Sequence, residues 1–257
     1  YNYYAASEGL QELRDAVAEK EKKVNSVPIT GQDVVVTSGI SEGIRFLMGA
    51  LLDPGDEVLV PGPTYPPYIS FAKFFGGNPV TYRTIECEDW VPDLDDIRSK
   101  ITERTRAIVI VNPNNPTGSV YDEETLERML QIAAEHKLLV ASDEIYDRLV
   151  YDSRFTSAAS IAEDVPVVGL NGFSKTYMMT GWRLGYLYFH DPAGVLEELK
   201  EAICKESRIR VSAVTPVQRA AITALRGSQR HIERMVRILR RRRDYFLRRI
   251  REIDALS

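Results

Sequence analysis

Three short runs constrain the fold of this chain more than any other feature. Residues 107–111, 138–141 and 167–170 are wholly apolar, and stretches of helical pattern separate them. Runs of this length and character suit strands buried on both faces. A β-branched run, Val34-Val35-Val36-Thr37, and a shorter strand at 57–60 precede them. Strands are also expected at 80–83 and 183–189. Strands alternating with helices argue an α/β fold: a mostly parallel sheet with helices on both faces. The expected helices start with an apolar stripe of Leu10, Leu13, Val17 and Val24 after Ser7-Glu8-Gly9. Others are expected at 40–52, 69–75 and Leu94–Lys100, and from an Asp122 cap to about His136. Residues 61–67, with four prolines, read as a loop without regular structure. Asp191 and Pro192 read as the N-cap and first turn of a mainly helical remainder.

Composition removes several classes of function. The chain is 44% hydrophobic and 27% charged, enough apolar residue for a core. No stretch approaches the ~18–20 apolar residues of a membrane span, and no secretory leader is visible at Tyr1. Cys87 and Cys204 are too few for a disulfide framework or a Cys-rich metal site and read as buried or idle thiols. They suit a reducing, cytoplasmic setting. The sequence opens on Tyr1 and stops at Ser257 directly after a helical pattern, and so reads as a piece of something longer.

Ligands of open α/β sheets sit beyond the carboxyl ends of the strands, so those loops carry the functional reading. After the first strand, Ser38-Gly39-Ile40-Ser41 opens a helix, a natural seat for a phosphate; a glycine at such a turn is also ordinary structure. After the second, Tyr65 stands among prolines and could stack on a planar ligand or pack beneath the loop. Asn112-Pro113-Asn114-Asn115-Pro116-Thr117-Gly118 forms a rigid turn in which Asn115 offers a donor and an acceptor. Asp143 and Glu144 close the 138–141 run. That pair is costly unless something positive meets it, and Asp143 could equally cap a helix. Ser174 and Lys175 follow 167–170, and Arg183 comes eight residues after the lysine. A lysine between two apolar strands is where an amine becomes a nucleophile. Together these strand ends suit a flat, phosphorylated aldehyde with a basic ring nitrogen, and pyridoxal 5′-phosphate is such a molecule.

At these residues the sequence resembles the class I/II aminotransferases, fold-type I pyridoxal phosphate enzymes. GFSKTYMMTGWRLGY is similar to the Schiff-base lysine motif, and NPNNPTG and SDEIYD match two further motifs in the expected order. GALLDPGDEVLVPGPTYPPY and RIRVSAVTPVQRAAITAL look most like the alanine-aminotransferase branch. The resemblance covers essentially the whole chain. It implies a seven-stranded type of sheet with one antiparallel strand. It implies a large cofactor domain over residues 1–227 and a connecting helix over 228–257, leading towards a C-terminal small domain. Catalytic roles would fall to Lys175, Asp143 and Tyr146. Lys175 would form the Schiff base and shuttle the substrate proton. Asp143 would keep the pyridine nitrogen protonated. Tyr146 and Asn115 would hydrogen-bond the phenolic oxygen, and Tyr65 would stack on the ring. The phosphate would lie on Ser38, Gly39, Ile40 and Ser41, closed in by Ser174 and Arg183. Tyr4 would reach the phosphate of a neighbouring subunit, implying a homodimer with shared sites.

The resemblance also implies the activity: transfer of an amino group between a small, alanine-like amino acid and a 2-oxo acid such as pyruvate or 2-oxoglutarate. Two departures stand out. Met178 occupies a position that is usually small and would crowd the phosphate side. The family arginine for the substrate α-carboxylate belongs to a small domain beyond Ser257. Two other readings use the same residues, a carbon–sulfur lyase and a non-catalytic cofactor-binding module. A nicotinamide dehydrogenase does not fit, because no Gly-x-Gly-x-x-Gly follows the first strand. Between His231 and Arg251 lie nine arginines against Glu233 and Asp244. Val236, Leu239, Phe246, Ile250 and Ile253 form a stripe between them, which reads as a long helix with a solvated basic face. The acidic remainder argues against a nucleic-acid binder.

Overall fold

The computed structural model describes residues 3–253. In chain order, α1 (Gln11–Asn25) leads to β1 (Val34–Thr37), α2 (Ile40–Leu51), β2 (Glu57–Gly62), α3 (Pro66–Phe74) and β3 (Asn78–Ile85). A two-residue β4 (Val91–Pro92) precedes α4 (Leu94–Lys100), β5 (Thr105–Val111), α5 (Glu123–Glu135) and β6 (Leu139–Asp143). Next come α6 (Ala158–Ile161), β7 (Val167–Gly172) and β8 (Gly185–His190). The helices α7 (Glu197–Arg210), α8 (Thr215–Arg226) and α9 (Arg230–Ile250) complete the described chain.

The strands form one sheet in the order β1-β8-β7-β6-β5-β2-β3-β4. Seven long strands match the expected sheet, and β4 adds a short antiparallel edge to β3. Among the seven, β8 alone is antiparallel, pairing with β1 on one side and β7 on the other. This reversal has a functional consequence: the amino end of β8 meets the carboxyl ends of its neighbours. Gly185 pairs with Thr37 and Gly172 there, so Arg183, just ahead of β8, reaches the same edge as the loops after β1 and β7.

Residues along each strand alternate between two cores, as the two-residue period requires. Ile108, Ile110 and Val140 join α1, α4, α5 and α8 on one face. Ala107, Val109 and Ala141 join α2, α3 and α7 on the other. Each fully buried aliphatic side chain contributes ~1.5–3 kcal/mol, which is why the wholly apolar runs lie at the sheet centre. Asp122 caps α5, accepting from the Thr125 N–H at 2.9 Å.

Several expectations need correction. β2 continues through Pro61 and Gly62, and α3 begins at Pro66. Proline lacks an N–H, but beyond Leu59 β2 pairs with β3 alone, and the first turn of a helix needs no N–H partner. The helix expected at Asp191 begins at Glu197 instead. Asp191 caps a turn, accepting from the Val195 and Leu196 N–H groups. The last expected strand starts at Gly185 rather than Arg183, because Arg183 takes a left-handed conformation with φ 53°. Val24 is exposed, whereas Glu21 and Asn25 take the buried side of α1. Cys87 is exposed and Cys204 half-buried, both as free thiols. On α9 the arginines are solvated as expected, but Phe246 and Ile253 from its apolar stripe are exposed too. No helix among the described residues is long and apolar enough to cross a membrane.

Candidate active site

Consecutive residues at the end of β6 face opposite sides, and the acidic pair separates accordingly. Glu144 turns into the core beneath the sheet. There it accepts from Ser142 Oγ, Ser157 Oγ, Tyr188 Oη and the Ala158 N–H. Among the described residues no positive group meets it. Burial, followed by the charge of Glu21, pushes its carboxyl up to about 8, so it is mostly protonated at neutral pH. Its share of stability is therefore complete below about pH 4.5 and is lost as pH rises through about 8. The slope of that loss is up to ~1.4 kcal/mol per pH unit. Glu144→Gln keeps Oε1 for Ser142, Ser157 and Ala158, turns an NH2 to Tyr188 Oη and removes the titration. We expect it to flatten the decline of unfolding free energy between pH 5 and pH 9, as measured by urea denaturation. An undiminished slope would place the titration elsewhere.

Asp143 faces the other way, to the floor of a ≈ 170 Å³ cavity at the carboxyl edge of the sheet. It is 2% exposed. Tyr68 Oη donates to it at 2.9 Å and the Ile145 N–H at 3.2 Å. The latter bond caps a turn rather than a helix. Burial pushes the Asp143 carboxyl up to about 6 against the bonds from Ile145 and Tyr68 and the charge of Lys175.

Around this floor the structure gathers Ile40, Ser41, Tyr65, Asn115, Tyr146, Ser174, Lys175 and Arg183, all expected from sequence. Lys175 is half-buried in the loop between β7 and β8, not sunk between apolar strands as its flanks suggested. Its Nζ lies 5.6 Å from the centroid of the Tyr146 ring, within cation–π range. Asn115 is left for the cavity because its neighbours hold the turn. Asn114 Oδ1 accepts from the Thr117 N–H and hydroxyl, and Asn112 Oδ1 from the Tyr121 N–H. Tyr65 Oη and Ser41 Oγ lie 3.3 Å apart.

Gly39, two residues past β1, caps α2 with φ 89°, a conformation that favours glycine. A Cβ there would stand 2.5 Å from Arg183 Nη2. The first N–H groups of α2, at Ile40 and Ser41, lack a carbonyl a turn behind them and open towards the cavity they line. Arg183 lies over this end, donating to Thr180 O at 3.0 Å and Ser38 O at 3.4 Å. Ser38 is not among the residues that line the cavity, and its own N–H goes to Glu42 Oε2 at 2.7 Å. Tyr4 is 83% exposed and outside the cavity. Met178 does not line the cavity. It is 74% exposed and lines an adjoining groove against α9 that shares Ser174, Lys175 and Thr180 with the cavity.

A family model described as aminotransferase class I and II matches residues 1–256. The chain belongs to this aminotransferase family. A solved alanine aminotransferase from Pyrococcus furiosus superposes with a TM-score of 0.96 at 55% identity, over 98% of this chain and 64% of that one. The glutamate-pyruvate aminotransferase AlaA of Escherichia coli (strain K12) is 41% identical over 227 residues, 88% of this chain and 56% of that protein. A probable aspartate aminotransferase of Methanocaldococcus jannaschii is 36% identical over 99% of this chain and 67% of its own. The chain thus spans little more than half the length of AlaA.

Some residues in and around this cavity escaped the sequence reading. Ile145 and Thr180 line the cavity, and Tyr68 supports Asp143 from α3. Beneath the segment carrying Tyr146 lies a buried ionic cluster. Lys20 Nζ contacts Asp147 Oδ2 at 2.5 Å and Glu21 Oε1 at 2.9 Å. Asn25 and Asn171 also donate to Asp147. The sequence signal that could have found it is Glu21, one turn after Val17 on the buried side of α1.

Proposed function

We propose that this chain is the cofactor-holding part of an aminotransferase that uses pyridoxal 5′-phosphate. It moves an amino group between a small, alanine-like L-amino acid and a 2-oxo acid such as pyruvate or 2-oxoglutarate. The observation that carries the reading is Asp143: a buried carboxylate on a cavity floor with an amine, Lys175, on the wall. Neither bond it accepts comes from a cationic side chain. A protonated ring nitrogen set against it satisfies that charge. The unpaired N–H groups of α2 beside Arg183 suit a phosphate. The donor set therefore fits the cofactor at both ends.

The bound cofactor supplies an aldehyde for amines and a ring that accepts the electron pair left at the substrate α-carbon. The protein supplies the rest. Asp143 holds a proton on the ring nitrogen. Asn115 and Tyr146 hydrogen-bond the phenolic oxygen. Tyr65 covers the ring face. The Ile40 and Ser41 amides bind the phosphate with Ser174 and Arg183. Lys175 Nζ would carry the proton taken from the substrate α-carbon. In this reading residues 1–227 form the cofactor domain, and α9 (Arg230–Ile250) is the connecting helix expected within 228–257, whose last four residues lie outside the described ones.

A homodimer with shared sites belongs to the same proposal. Tyr4 is exposed on a segment held in place at both ends: Thr215 Oγ1 donates to Tyr3 O, and Arg210 to Ser7 O. The two free thiols favour a cytoplasmic setting.

The test adds L-alanine to the cofactor-loaded chain and follows the visible band, pyruvate and ammonia. Transfer bleaches the band and yields pyruvate without ammonia. Ammonia and thiol from a thioether amino acid would instead make the chain a carbon–sulfur lyase. An unresponsive band would make it a binding module.

A further inference from the structure

The turn that opens α2 is braced by a residue from the far end of the cofactor domain. The N–H of Ser38 donates to Glu42 Oε2 at 2.7 Å, and Arg210 Nη1 donates to the same oxygen at 2.5 Å. The Arg210 fork also reaches Val36 O at 3.3 Å and Ser7 O at 2.7 Å. Its guanidinium lies 5.8 Å from the centroid of the Phe46 ring. Both partners are largely covered, with side-chain exposures of 15% for Arg210 and 19% for Glu42. On the other side of the turn, Arg183 holds Ser38 O and Thr37 Oγ1 donates to Gly39 O at 3.0 Å. The Ser38–Gly39 backbone is therefore gripped from both faces before any ligand arrives.

This arrangement sets a carboxylate within the first turn of the helix whose end is to receive a phosphate. A carboxylate suits a helix start on its own account, but beside a bound dianion it repels. Arg210 cancels that charge and keeps the carboxylate on the Ser38 N–H. We propose that Arg210 is a positioning residue for phosphate binding. Through Glu42 it fixes Ser38 and Gly39, so that the Ile40 and Ser41 amides and Arg183 converge on the phosphate. The inference rests on the pyridoxal phosphate reading and adds to it a residue outside the cavity.

The test compares two ligands that differ only in the phosphate, pyridoxal 5′-phosphate and pyridoxal, by titrating the visible band of the 257-residue chain. Arg210→Met keeps the stem over Phe46 and leaves Glu42 unneutralised. It is expected to weaken pyridoxal phosphate binding ~10-fold while changing pyridoxal by less than ~2-fold. Adding Glu42→Gln removes the stranded charge and keeps an acceptor for Ser38, so the double variant recovers most of the loss. Arg210→Lys, which retains the charge but not the fork to Val36 O and Ser7 O, weakens pyridoxal phosphate binding less than Arg210→Met does. Thermal unfolding with each ligand gives a second readout. Equal weakening of both ligands by Arg210→Met, or a double variant as weak as the single, would overturn the proposal in favour of a packing role. A parent chain that binds neither ligand overturns the cofactor reading itself, and this inference with it.

Discussion

Lys175→Ala is expected to abolish covalent retention of pyridoxal phosphate and to slow amino transfer by ~10⁴-fold. Two functions converge on one nitrogen. Lys175 is the only lysine among the residues that line the cavity, so no other amine there can hold an aldehyde or carry the α-proton. The same loss is not expected in folding. The side chain is half-buried on a loop, and its described contact is with the Tyr146 ring. Removing it should change stability by no more than ~0.5 kcal/mol. Band titration and unfolding on one preparation separate the two quantities. A variant that unfolds readily, or retains the band, contradicts the assignment.

Asp143→Asn is expected to act in opposite directions on stability and rate. Burial raises the folded-state carboxyl to about 6 from its ordinary 3.8. Its contribution to stability is complete below about pH 3.8 and is lost as pH rises through about 6. Asparagine keeps one oxygen to accept from the Ile145 N–H, turns its NH2 to Tyr68 Oη, which then accepts, and carries no charge to desolvate. The cofactor-free variant should therefore be more stable than the parent above pH 6 and lose less stability between pH 4 and pH 7. With ligand bound, the order reverses: an amide cannot hold a proton on the ring nitrogen, and amino transfer falls at least ~10²-fold. Unfolding of the cofactor-free chain across that pH range, beside single-turnover rates, gives both signs. A variant less stable at pH 7 and unchanged in rate would remove Asp143 from the ring nitrogen.

The sheet was legible because its strands carry their own signature. Residues 107–111 and 167–170 are apolar on both faces, and the structure buries both faces. Motif positions were legible for a related reason. Asp143 ends a strand, Tyr65, Asn115 and Lys175 lie within four residues past one, and parallel strands bring their carboxyl ends to one edge. What sequence could not supply was pairing at a distance. Asp147 meets Lys20 from 127 residues away, Tyr68 reaches Asp143 across 75, and Arg210 reaches Glu42 across 168. None of these pairs carries a local pattern. Periodicity misled at α9 and Val24 because it shows which residues share a face, not what covers it. Asp191-Pro192 misled because the same pair opens turns and helices alike.

The central claim is that Lys175 and Asp143 face one cavity built to take pyridoxal phosphate. It is tested most directly by reducing the cofactor-incubated chain with borohydride, digesting it and locating the adduct by mass spectrometry. The account predicts a pyridoxyl phosphate adduct confined to Lys175, absent from Lys175→Ala. No adduct at Lys175, or an adduct spread evenly over surface lysines such as Lys73, would contradict it.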